Sequence, residues 1–133
     1  MDEQADLTAP RTWLQVAEIK LGHAREIFDI GLYDDAISRA YYAMFYAAKA
    51  ALLSEGLDLR KHSSAIAKFR ELFVITGRVE AETLHYLGRA QGARERSDYV
   101  PTMPASREDA AEILATAEAF VGRMADVLES AAR

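Results

Sequence analysis

Between the turn-formers of this chain, 7 Gly and 3 Pro in 133 residues, apolar side chains recur every three to four positions, and no period-two alternation bounded by turns occurs. Such a pattern buries its apolar surface by laying helices against one another, so the class is all-α. The spacing predicts a first helix over Pro10–Ile30, with Trp13, Val16, Ala17, Leu21, Ala24, Ile27 and Phe28 inward and Gly31 as the stop. A second helix, Tyr33–Glu55, is apolar over most of its circumference and belongs in the middle of a bundle. A third runs over Ser63–Ile75 with Ser63 as N-cap and Ile66, Phe69, Leu72 and Phe73 inward. A fourth, Glu80–Asp98, uses Leu84, Leu87 and Ala90, and "YVPTMP" then breaks it. A fifth, Arg107–Ala131, opens on "SRED", where Ser106 and Asp109 have capping-box spacing. Short connections make successive helices antiparallel neighbours, giving an up-and-down bundle of four to five helices. By length this is one domain, residues 1–133, with residues 1–10 as a flexible N-terminal tail.

Composition removes whole function classes. With no Cys, disulfides, thiolate metal sites and cysteine nucleophiles are excluded, and a reducing cytoplasm is the expected setting. The opening "MDEQADLTAP" is acidic where a secretory signal is basic, and no apolar run reaches the roughly 18 residues a bilayer requires, so no membrane role is expected. A formal charge of −5 argues against duplex DNA as a partner, because such binding rests on neutralising many phosphates. His23, His62 and His85 form no paired helical metal signature, and the glycines form no phosphate-cradling loop, so neither a metal nor a cofactor is expected.

Two stretches remain. In "SRAYYAMFYAA", Tyr41 and Tyr42 lie about 100° apart around the helix, so at least one leaves the main core. Either the tyrosines pack with hydroxyls at the rim, or Ser38, Tyr42, Phe45 and Lys49 form a homodimer seam. In "GARERSDYVP", Arg94 and Asp98 are four apart on one helical face, while Arg96 points elsewhere and Tyr99 falls where the helix ends. Arg94–Asp98 is either an ordinary ion pair at a helix C-terminus or part of a phosphate grip, since guanidinium binds phosphate bidentately and a phenol can donate to it.

The order of "GLYDDAISRAYYAMFYAAKAALL", "KHSSAIAKFRELFVITGRV" and "ARERSDY" resembles a small single-domain HEPN protein of the bacterial and archaeal group, over roughly Trp13–Val121. The resemblance implies a dimerising bundle of four or five helices. It also implies an activity motif of Arg, four to six residues, then His, meeting its copy across the dimer in metal-independent ribonucleases of toxin–antitoxin and defence systems. Here the Arg falls on Arg94, and Tyr99 stands at the position of the His. Attack by a ribose 2′-hydroxyl needs a proton acceptor near neutrality and a cation for the charged phosphorane. A phenol, titrating near about 10, serves the first role poorly.

The resemblance therefore implies an RNA- or nucleotide-binding homodimer with ribonuclease activity weakened or absent, and a minimal nucleotidyltransferase as antitoxin-like partner. Arg94 and Tyr99 hold the catalytic positions; Arg94, Asp98, Arg39, Tyr42 and His62 are the expected nucleotide- or RNA-binding residues, and His62 could supply the missing base from its loop. The alternative is a non-catalytic helical dimerisation module.

Overall fold

The computed structural model describes residues 6–99 and 102–132, and among these the chain is all helix. The elements are α1 (Thr8–Asp29), α2 (Tyr33–Ser54), α3 (His62–Phe69), α4 (Ala81–Tyr99) and α5 (Arg107–Ala131). A π-helical turn, Arg70–Val74, continues α3. Together they form the up-and-down bundle that the spacing predicts. Twelve of the 22 residues of α2 are buried, which places it at the centre, against α1, α3, α4 and α5. Ala40, Ala43, Ala47 and Ala51 are fully buried along it, and their small side chains let neighbouring backbones come close. Phe69, Phe73 and Phe120 add an aromatic cluster, with the Phe69 ring centroid 5.1 Å from that of Phe73 and 5.8 Å from that of Phe120.

The ends of the helices follow local chemistry. Gly31, at φ +84°, closes α1 in a conformation that costs other residues a steric penalty, and its N–H bonds to the Phe28 carbonyl. Ser106 Oγ accepts from Asp109 N–H while the Asp109 carboxylate accepts from Ser106 N–H, completing the capping box of α5. In the first turn of α2, Asp34 Oδ1 accepts from the Ser97 hydroxyl at 2.6 Å and from Ala105 N–H at 3.1 Å. This one carboxylate ties the start of α2 to the end of α4 and to the segment entering α5.

Several expected helix ends shift by one or two residues, the third helix passes into the π-helical turn after Phe69, and two of the starts are informative. Ser63 is not an N-cap: α3 already includes His62, and Lys61 precedes it without a side-chain cap. The His62 ring is held against α2, which draws its residue into the helix. At the other end of the chain, α1 begins at Thr8 and takes the last three residues of the expected tail. Pro10 is tolerated there because first-turn N–H groups lack intrahelical acceptors. Residues 1–5 of that tail lie outside the described residues.

Because Ala47 is fully buried where helices meet, Ala47→Leu should overpack the centre and cost about 1–3 kcal/mol in a urea melt. Ser106→Ala should cost about 1 kcal/mol by removing the cap alone. An Ala47→Leu variant as stable as the unaltered protein would contradict the central placement of α2.

Candidate functional site

The face of α2 that turns toward α3 and α4 carries the aromatic residues. Tyr41 is fully buried, Phe45 is 5% exposed, and Tyr42 and Tyr46 are half-buried. Tyr41 and Tyr42 meet edge to face with centroids 5.4 Å apart, so consecutive tyrosines occupy two different walls of one corner. Burying the Tyr41 ring takes its hydroxyl out of water, and it needs a protein partner. That partner is His62 Nδ1, 2.8 Å away. The imidazole in turn stacks on Phe45, with centroids 3.8 Å apart and ring planes inclined by 18°.

Arg94, on α4, completes the corner. Its guanidinium carbon lies 5.0 Å from the centroid of Tyr42 and 5.6 Å from that of Tyr41, both within cation–π range. One terminal nitrogen is 3.4 Å from Asp98 Oδ2, the i,i+4 pair expected on α4. Nε is buried without a hydrogen-bond partner among the described residues, whereas the side chain as a whole is 27% exposed. The cation is thus anchored on two rings and one carboxylate and retains an open edge.

Tyr41 and His62 are both shifted by the corner. Burial pushes the Tyr41 phenol up to about 12, against the opposing pull of Arg94, so it remains protonated throughout the physiological range. Burial, and then repulsion from Arg94, hold the His62 imidazole below the ordinary histidine value. Among the described residues no three His, Cys, Asp or Glu side chains gather where they could hold a metal ion, and no helix is long and apolar enough to cross a membrane.

The structure brings together Arg94, Asp98, Tyr42 and His62, four of the residues singled out in the sequence. Tyr99 stands apart, 80% exposed in the last turn of α4. Arg39 shares with Tyr42 a separate shallow cavity, also lined by Asp35 and Ser38, and it makes no ion pair among the described residues. Arg96 lines a different cavity of about 420 Å³ between α4 and α5, beside Arg89, Asp109 and Glu112. The proposed seam residue Phe45 is unavailable on the free chain, because the His62 ring covers it. Lys49 is folded over Trp13, 4.3 Å from its centroid. The expected packing of the tyrosines with hydroxyls at the rim does not describe Tyr41, whose hydroxyl lies inside against His62; the signal for it is that a tyrosine on an innermost stripe must find an acceptor.

Because the folded chain resists protonating His62, its stability should be level above about pH 6.5 and fall as the pH drops from there toward the lower folded value. An NMR titration should place the His62 midpoint below 6.5, and Arg94→Ala should raise it. A midpoint at or above the free-histidine value would contradict the packing of the ring.

Comparison with known proteins agrees with this architecture. The HEPN domain model matches residues 10–127. A protein named as a candidate toxin from Methanocaldococcus jannaschii is 36% identical over 116 residues, covering 87% of this chain and 86% of its own. A UPF0332 protein from Thermotoga maritima is 31% identical over 121 residues, covering 91% and 92%. One from Archaeoglobus fulgidus is 39% identical over 108, covering 81% and 86%. The crystal structure of TT1696 from Thermus thermophilus superposes with a TM-score of 0.74 over 89% of this chain and 97% of that one, at 22% identity, a likeness of fold. With its motifs in the same order and the family model spanning nearly all of its helices, the chain belongs to the HEPN domain family, and it is related to candidate toxins.

Proposed function

We propose that this HEPN protein acts as a homodimer that binds the phosphate of RNA or of a nucleotide in a cleft between its copies, with Arg94 as the phosphate-binding residue. The observation that carries this reading is the state of Arg94, a cation fixed on two aromatic rings with its outer edge open in a protein of net charge −5. A guanidinium held this way is pre-oriented, so little side-chain entropy is lost when a phosphate takes two hydrogen bonds from it. Asp98 steadies it from one side, Tyr42 and His62 flank it, and Arg39 extends the positive charge along α2. Two such sites facing each other would focus positive potential in a low-dielectric cleft.

The same reading makes ribonuclease activity weak or absent. Arg94 can stabilise a charged phosphorane, but Tyr99 stands where the family's proton acceptor belongs. Relatedness to candidate toxins supports a role in a toxin–antitoxin or defence system; the partner in this reading is a nucleotidyltransferase-like protein, and the setting the cytoplasm.

Fluorescence anisotropy with a short single-stranded RNA should show affinity falling with salt and at least about tenfold weaker binding by Arg94→Ala, with helicity unchanged. Unaltered affinity in that variant would leave Arg94–Asp98 as a half-exposed ion pair worth under about 1 kcal/mol, and the chain as an interaction module. In light scattering the protein should run as a dimer at micromolar concentration; a monomer would remove the cleft. Tyr99→His should raise cleavage of mixed RNA above that of the unaltered protein, and robust cleavage before the change would contradict the role given to Tyr99.

A further inference from the structure

The histidine of the corner has two nitrogens, and the fold treats them differently. Nδ1 is bonded to the Tyr41 hydroxyl at 2.8 Å, and Nε2 has no hydrogen-bond partner among the described residues. The direction of the Tyr41 bond decides what Nε2 can do. Tyr41 is fully buried, and His62 is its one hydrogen-bond partner among the described residues. If the imidazole donated to the phenol oxygen, the phenol proton would be left in an apolar interior with nothing to bond, the costly case for a buried polar group. The phenol therefore donates, Nδ1 accepts, and in the neutral ring the proton resides on Nε2. Stacking on Phe45 fixes the ring plane, so the Nε2–H direction is set by the fold. Burial, and then repulsion from Arg94, disfavour a second proton on the ring.

We propose that His62 serves the Arg94 site as a neutral hydrogen-bond donor through Nε2–H, locked in that tautomer by Tyr41, and that it is not the proton acceptor for RNA cleavage. The inference rests on the reading of Arg94 as a phosphate site and adds to it a second, uncharged donor. Arginine supplies the charge, and His62 supplies a donor whose direction does not depend on a flexible stem. Tyr41 acts through His62 and is a positioning residue. An imidazole already protonated on its outward nitrogen has no lone pair there to accept the 2′-hydroxyl proton, so His62 does not restore what Tyr99 withholds.

The test uses the full-length protein labelled with ¹⁵N in its histidines. At pH 7.5 the two-bond ¹⁵N–¹H spectrum of His62 should show Nε2 protonated and Nδ1 bare, and Tyr41→Phe should relax this toward a mixture. A spectrum with the proton on Nδ1, or an imidazolium, overturns the proposal. For function, a short single-stranded RNA is titrated into His62→Ala and His62→Gln. Glutamine can place an amide N–H near the position of Nε2–H, so it should recover most of the roughly tenfold affinity lost with alanine. If glutamine binds no better than alanine, or if His62→Gln abolishes residual cleavage that Arg94 supports, His62 is not the donor described. Arg94→Ala is measured beside them: unaltered RNA affinity there defeats the phosphate reading itself, while the tautomer spectrum still decides the state of His62 independently.

Discussion

A helix enclosed by four others has nowhere to put a polar atom except against another polar atom, and α2 is enclosed in this way. Alanines along its length admit close neighbours, and Tyr41 is the one large polar side chain that the packing draws fully inside. Its hydroxyl requires a partner, and His62 provides it. That bond accompanies the stacking of His62 on Phe45, while Ala65, Phe69 and Phe73 seat α3 and its continuation in the core. Removing the hydroxyl would leave Nδ1 of the half-buried His62 with no donor opposite it.

Arg94 meets this wall from α4. A guanidinium over aromatic faces is more weakly hydrated than an ammonium and gives up less on approaching them, which suits arginine rather than lysine to the position. The end of α4 is held in place from the other side by Asp34, whose carboxylate binds Ser97 and the backbone before α5. The cation is therefore located by two independent anchors, rings on one flank and a helix-end tether on the other. Its surroundings are acidic overall, so the effect of Arg94 is local and falls away within about 8–10 Å at physiological salt.

Relatives in archaea and bacteria match the sequence of this helical framework over most of their length. Within that framework the pairing of Tyr41 with His62 turns an aromatic corner into one with a directed donor, and the exposed Tyr99 leaves the neighbouring helix end without an imidazole. Arg94 and His62 sit on the α2 wall, and position 99 faces outward.

Much of the framework was legible in the residues alone, because helical periodicity and capping are local. Gly31 marks a stop since a positive φ is cheap for glycine, and Ser106 with Asp109 marks a start since both partners of the box lie within one turn. The i,i+4 geometry likewise placed Asp98 beside Arg94 before any tertiary contact was known. Local rules fail where the deciding partner is distant in sequence. Ser63 looked like a cap, but a tyrosine twenty-one residues before His62 pulled the histidine into the helix. Phe45 looked like seam surface until His62 covered it, and packing sets Arg39 in a cavity it shares with Tyr42 and leaves Tyr99 exposed at the end of α4. The sequence by itself determined which segments are helical and which carry cations and rings. Only the tertiary structure decided which cation meets which ring and which histidine nitrogen remains free, because those outcomes depend on how buried polar atoms find partners across helices, and no spacing along the chain encodes that.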